Sequence, residues 1–376
     1  MTLHLSYSLE SIVRDRLARW EDAVGRDAAL GPANWRMLAV WPAARNASVS
    51  GSTGIEGNPL GPGQVGDVLA GAAVDADAAH IREVENCNRA LNFARDAASR
   101  PDFGWSHEVI HTINALVMDG LPRDTHGNYR GSEEDVFVGI FTGPSPLLVQ
   151  TLMDALVAWL GHPGDTPRLI RSALLHLNLI AIHPFNDGNG RTARILAAME
   201  LILDGVRSPE LISIEAYLRR NRDEYIDALR TTLGPSYDPD NHSATHWLDY
   251  YTRVSLDRLE VRNRVLDAVP TDIGSLVAAL ADAGEPLGWA VTLIAARVGR
   301  MRTTALAQLT NRSTPAARAE LGRMAQAGWL EPRGATRGRW YEPAARLNAI
   351  HLHVPELMRL LAAGDRLELF DEELAR

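Results

Sequence analysis

Residues 183–194, His-Pro-Phe-Asn-Asp-Gly-Asn-Gly-Arg-Thr-Ala-Arg, constrain this 376-residue chain more than any other stretch. They stand between two segments with helical apolar spacing. Upstream, residues 167–181 put Leu169, Ala173, Leu174, Leu177 and Ile180 on one stripe, and Pro167 suits a first turn. Downstream, residues 192–203 do the same with Ile195, Leu196, Met199 and Leu203, and Gly205 lies beyond. Pro184 pushes the residue before it out of helical geometry, so His183 is expected at the edge of the first helix. Gly188-Asn189-Gly190 then enters the second. Such an entry aims free N–H groups and the positive end of a helix dipole at an anion. Its glycines let phosphate oxygens come close. Arg191 and Arg194 are three apart, share a helix face and can grip phosphate. Asp187 is a hard oxygen ligand suited to a magnesium ion bridging phosphates. His183 is the natural general base for a hydroxyl nucleophile. Each feature alone has a plainer reading: a loop histidine, a turn, a solvated arginine face. Their combination within twelve residues favours a phosphate site, with Phe185 as an apolar anchor for the loop.

His183, Phe185, Asp187, Gly188, Asn189, Gly190, Arg191 and Arg194 reproduce the pattern H-x-F-x-(D/E)-G-N-G-R-x-x-R without departure. On that pattern the sequence resembles the Fic family. The resemblance implies a mainly α fold: a helical core with a β-hairpin flap. It also implies a protein adenylyltransferase, which moves AMP from ATP to a Tyr, Ser or Thr hydroxyl of a target protein or of itself, with Mg²⁺. By position it makes His183 the base and Asp187 the metal ligand. Gly188, Asn189 and Gly190 become the anion hole, Thr192 a further nucleotide contact, and Arg191 and Arg194 phosphate contacts, with Arg194 nearest the γ-phosphate. The related Doc kinases replace G-N-G-R, so its presence favours AMP transfer over phosphotransfer.

A second stretch, residues 48–60, is rich in Ser and Gly and by propensity reads as a flexible loop. Ser52, Glu56 and Gly57 nevertheless match (S/T)-x-x-x-E-(G/N), the Fic inhibitory motif, extended by Asn58. The resemblance therefore implies a helix that presents Glu56 to Arg194. An arginine held by Glu56 cannot also hold a γ-phosphate, so ATP would sit unproductively. Two other readings stay open. Glu56 could align water to remove AMP from a modified protein, or the chain could be an ATP-sensing, DNA-binding regulator.

Between these stretches, residues 126–146 gather Gly and Pro around β-prone Val136, Phe137, Val138 and Gly139. This resembles the Fic flap, expected to line the nucleotide pocket and dock a target segment as an added strand. The acidic run Glu133-Glu134-Asp135 stands beside it. Residues 212–233 read as one amphipathic helix. Its Tyr225 either stacks by the adenine, as the resemblance suggests, or packs against the core with a wet hydroxyl. Further helices are expected at 9–29, at 34–43 (ending near Pro42), and at 64–70, 75–98, 106–118, 147–160 and 247–261. Cys87 reads as a small buried apolar residue. His107 and His111 lack a third ligand and read as surface histidines.

From about Thr271 a different unit is expected. Helix 306–310, a turn at Asn311-Arg312, helix 313–327 and a hairpin over 330–341 resemble a winged helix-turn-helix domain. Arg300 to Arg346 hold nine arginines against three glutamates. That balance is compatible with DNA contact; dimerisation or docking is the level alternative. The expected division is 1–100 for an N-terminal helical region with its inhibitory helix around 48–60, 101–265 for the Fic core, 271–347 for the winged helix and 348–376 for a helical tail. The chain as a whole carries net charge −9, which argues against a chain-wide nucleic-acid surface. One cysteine excludes an intramolecular disulfide. No apolar run approaches a membrane span, and the acidic start does not read as a secretory signal, so a cytoplasmic protein is expected.

Overall fold

The computed structural model describes residues 2–29, 35–124, 126–131, 137–138, 141–206, 209–335 and 339–374. In chain order, α1 (Ser11–Ala29), α2 (Trp35–Ile55), α3 (Pro62–Leu69), α4 (Ala78–Ala98) and α5 (His107–Met118) lead to a short hairpin of β1 (Phe137–Val138) and β2 (Phe141–Thr142). Then come α6 (Pro146–Gly161), α7 (Arg168–Ile182), α8 (Asn189–Leu203), α9 (Ile214–Arg220), α10 (Arg222–Leu233) and α11 (Thr245–Asp282). The C-terminal part holds α12 (Ala290–Val298), α13 (Thr303–Thr310), α14 (Thr314–Gln326), the hairpin β3 (Leu330–Arg333) with β4 (Trp340–Pro343), α15 (Ala345–Asn348), α16 (Val354–Ala363) and α17 (Leu367–Leu374). Both hairpins are antiparallel, so the fold is mainly α with two small two-stranded sheets.

α7 and α8 form the hub. Every residue of α7 after Arg168 is buried, as is nearly all of α8. A helix that is apolar all round has to be enclosed on every side, and α4, α5, α6 and α11 supply that enclosure.

Two apolar cores result. The first gathers α1, α3 to α8, α10 and α11 as far as Leu259. The second begins on α11 at Val261 and gathers the C-terminal helices and hairpin. The expected boundary at 265–271 thus falls inside one continuous helix of 38 residues, roughly 57 Å long at the usual rise. Pro270 lies within it but does not end it, because Val265, Val269, Leu276 and Leu280 on either side are fully buried.

α2 is divided in the same way. Met37, Val40, Ala44 and Ala47 belong to the second core, while Val49 and Ile55 belong to the first. The expected stop near Pro42 is overturned, since α2 continues to Ile55. The Ser/Gly run that argued for a loop is helical for a tertiary reason. A Cβ on Gly51 would lie 2.6 Å from the Glu215 carbonyl carbon, so only glycine lets α9 approach this closely. The serines are satisfied by specific partners: Ser48 Oγ donates to Glu215 Oε2 at 3.0 Å and Ser50 Oγ to the Leu60 carbonyl at 2.8 Å.

Two further expectations are corrected. Residues 212–233 form two helices, broken at Asn221 (φ −109°, ψ 44°). The tail is likewise two helices, α16 and α17, separated at Gly364 in the left-handed region. In the C-terminal unit, α13, a turn with Asn311 at φ 50°, α14 capped by Ser313, and the β3–β4 hairpin follow one another. Its arginines are partly spent inside the fold. Arg300 and Arg302 reach Asp67 on α3, and Arg346 donates to the Ala327 carbonyl above the Trp329 ring. Among the described residues no helix is long and apolar enough to cross a membrane.

Candidate functional site

The site is built on the loop that joins α7 to α8. His183 caps α7 in the left-handed region (φ 50°, ψ 59°), and its N–H donates to the Leu179 carbonyl at 3.0 Å. Pro184 forbids a further turn. The loop is closed by Asn189, whose Nδ2 donates to the Phe185 carbonyl (2.8 Å) while its Oδ1 accepts from the Phe185 N–H (3.0 Å). Phe185 is fully buried beside Tyr129, with ring centroids 5.3 Å apart. The Asn189 side chain therefore fastens the loop to itself. What α8 offers an anion is its N-terminal backbone N–H groups, which have no acceptor within the helix.

Gly188 stands at φ 76° just before α8, and its N–H donates to Asp187 Oδ1 at 2.6 Å. A Cβ there would meet Met118 Sδ at 2.8 Å, so packing also demands glycine. The Asp187 carboxylate is 44% exposed. Its second oxygen suits a hard cation whose other ligands are phosphate oxygens and water. Among the described residues no group of three or more His, Cys, Asp or Glu could hold a metal by itself.

Both loop arginines are buried and engaged by acids. Arg191 Nη1 meets Glu83 Oε1 at 3.2 Å, and its Nη2 lies 3.7 Å from Asp187 Oδ1. Arg194 donates from Nε to Ser52 Oγ (3.1 Å) and from Nη2 to the Ser52 carbonyl (2.9 Å) and Glu56 Oε1 (2.9 Å). Glu56 follows the last turn of α2, and Gly57 at φ 103° turns the chain away. A Cβ on Gly190 would collide with Glu56 Oε1. The Glu56 carboxylate thus lies against the start of α8, in the space an incoming anion would need. Burial pushes its pKa up, but Arg194, then Arg191 and Arg222, outweigh burial and hold it below the usual carboxylate range. Arg194 is shifted the other way: burial lowers its pKa, and Glu56, Tyr225 and Glu215 together raise it above the usual guanidinium value.

His183 is held neutral. Burial, then the positive charge of Arg130, lower its pKa to about 4, against the opposing pull of the Ile180 carbonyl, Glu56 and Asp187. A neutral imidazole has a lone pair with which to accept a proton.

Sequence reasoning missed four residues. Arg130 donates to the carbonyls of His183 (2.9 Å) and Pro144 (2.6 Å), tying both ends of the flap segment to the loop. Asn114 donates to the Asp187 carbonyl (3.1 Å) and to Thr192 Oγ1 (3.2 Å). Glu83 holds Arg191 and also accepts from Asn58 Nδ2 at 2.8 Å, which links the second stretch to the loop. Arg222 faces Glu56. None belongs to a local pattern, and no signal in the sequence marks them.

Other expected site residues lie elsewhere. Thr192 is fully buried and bonded to Asn114, so its side chain fixes α8 and reaches no open surface. Tyr225 is 3% exposed, packed edge-on to His176, and its hydroxyl is 3.2 Å from His176 Nε2. Burial drives its pKa up to about 12. The hydroxyl is not wet, and no face is left for a base to stack on. Phe137 and Val138 are in strand β1. Val136, Gly139 and the acidic run 133–135 lie outside the described residues. His107 pairs with Tyr129 (2.8 Å) and Asp154 (3.0 Å), a surface network. Cys87 is buried, and burial raises its thiol pKa to about 11.

Known proteins share parts of this sequence and of this fold. The model of the Fic/DOC family matches residues 104–201. A Dictyostelium discoideum protein named for its Fido domain is 40% identical over 119 residues, which span 31% of this chain and 72% of that protein. A probable protein adenylyltransferase of Aquifex aeolicus is 28% identical over 197 residues, which span 48% of this chain and 59% of that protein. A crystal structure of a Fic family protein from Desulfovibrio desulfuricans covers 90% of this chain and 98% of its own, with TM-score 0.56 and 22% identity.

Proposed function

The chain belongs to the Fic/DOC family, and from that premise we propose that it is a protein adenylyltransferase held in check by its own Glu56. ATP would lay its phosphates across the first N–H groups of α8, with Arg191 and Arg194 on one side. His183 would accept the proton of a target Tyr, Ser or Thr hydroxyl as that oxygen attacks the α-phosphate, and pyrophosphate would leave. Asp187 would hold Mg²⁺, which when bound neutralises phosphate charge. Arg130 would keep the His183 backbone in place throughout.

The observation that carries the reading is the contact of Glu56 with both Arg194 and the start of α8. One carboxylate occupies the cation and the anion-accepting backbone that a triphosphate would need together. Charge and space both oppose productive ATP binding until it moves. The target would reach the site along the hairpin. β2 is already bonded on its outer side, since the Thr142 N–H donates to Pro235 and the Tyr237 N–H to Thr142. An added strand would therefore pair with β1.

The test is transfer of label from α-³²P-ATP. Glu56→Gly is expected to label itself or a lysate protein faster than the unaltered chain, and His183→Ala in that background is expected to abolish labelling. Absence of label with Glu56→Gly would sink the transferase reading. A second reading has an observation of its own: Glu56 is held ionised and 36% exposed beside the site. An ionised carboxylate there would suit activation of water for AMP removal. Slower release of AMP from a modified protein by Glu56→Gly than by the unaltered chain would favour it.

A further inference from the structure

A cleft of about 710 Å³ opens between α2, α3, α4 and the C-terminal unit. It shares no residue with the loop of residues 183–194. Its charge is lopsided. Arg45, Arg297, Arg300, Arg302 and Arg359 line it, and Asp67 is the one acid among its described lining residues, although Arg359 is paired with Glu356 beside it. In a chain of net charge −9 this is a local reversal of sign. Asp67 is shared by Arg300 and Arg302. Arg45 meets Asn46 Oδ1 at 3.2 Å and the Trp41 ring, and has no acid partner among the described residues. Arg297 donates to Asn348 Oδ1 at 2.6 Å, also neutral. The Nε groups of both are buried, and neither has an acceptor among the described residues. Asn88 on the α4 wall is in the same condition at Oδ1.

We propose that this cleft binds a small organic molecule carrying two or more phosphate groups. Neither Arg45 nor Arg297 has an acid partner among the described residues, and a part-buried guanidinium without a counter-charge favours an anion beside it. Phosphate oxygens meet guanidinium groups bidentately, which an ammonium-lined site would not favour in the same way. The volume lies within the range of sites that enclose small ligands. Ala39, Leu309 and Met358 give it apolar wall as well, so the ligand has a non-phosphate body. A duplex would need a convex or open face, whereas this basic lining is recessed between two layers of helices. Burial, then the charge of Arg95, lower the pKa of Arg45, the mark of positive charge held here without full compensation.

The full chain is titrated by calorimetry at low ionic strength with fructose 1,6-bisphosphate, a probe with two phosphates and no base. Saturable binding at one site per chain is expected. Arg45→Gln and Arg297→Gln are each expected to weaken it about tenfold, the scale of one charge-assisted pair. In case either variant fails to fold, the unaltered chain is also treated with phenylglyoxal and its arginines mapped by mass spectrometry. The probe should then protect Arg45 and Arg297. No saturable heat from the unaltered chain, affinity unmoved by both substitutions, or unprotected arginines would each overturn the proposal. So would binding of a DNA duplex through Arg45 and Arg297 with no response to the bisphosphate. The outcome is independent of the labelling assay, which reads the other site.

Discussion

At the scale of single residues, the site is a balance of buried charges, and two groups set it. His183 is neutral because burial and Arg130 both penalise the imidazolium. Its ring is expected to titrate near pH 4 when followed by NMR, and a midpoint near 6.5 would contradict the burial argument. Ser52 is the second. Its hydroxyl accepts from Arg194 Nε in a fully enclosed setting. Ser52→Ala is expected to cost about 1–3 kcal/mol in denaturant unfolding, the penalty for a buried donor left without an acceptor. The residues that touch a phosphate in this reading were legible in the sequence, because glycine, arginine and carboxylate at fixed spacing serve little else in combination. The residues that hold them were not. Arg130 acts on His183 across 53 positions and Glu83 on Arg191 across 108, and no local pattern encodes such a distance.

At the scale of elements, helix propensity failed where packing decided. The Ser/Gly run of α2 is helical because α9 comes too close for any side chain at Gly51. Gly51→Val is expected to lower stability by about 1–3 kcal/mol through overpacking. Under the proposed restraint it should also raise label transfer by displacing Glu56. A thermal midpoint equal to that of the unaltered chain would show that α2 and α9 are not in this contact. Gly25 gives the contrast. It lies inside α1, and nothing stands within 4 Å of a Cβ built there. Gly25→Ala should raise stability by about 0.4–1 kcal/mol by restricting the unfolded chain. The same tension explains the misread Pro42 and the course of α11 through Pro270. Pro42 and Pro270 carry a local penalty of about 3 kcal/mol each, which burial on both flanks outweighs. Periodicity located helices 78–98 and 107–118 well because there the apolar stripe and the local propensities agree.

At the scale of the whole molecule, acid sensitivity follows from buried bases. His4, His176 and His183 have pKa values lowered to about 4, 3 and 4, with burial the leading cause in each. Unfolding exposes them to protonation at their ordinary value near 6.5. Between about pH 6.5 and pH 4 the unfolded chain therefore binds more protons than the folded one. Stability is fully present above that window and falls as pH drops through it, by at most about 1.4 kcal/mol per pH unit for each histidine. A thermal midpoint that stayed flat from pH 7 to pH 5 would refute this. α2 bears on the whole chain in another way. It is a rod clasped at one end by the C-terminal helices and tipped at the other by the acid that meets Arg194. A chain shortened past α11 would take α12 and α16 away from Met37, Val40, Ala44 and Ala47 and loosen the clasped end of the rod. Under the proposed restraint, the remote end of the polypeptide would thus be the latch on a gate it never touches.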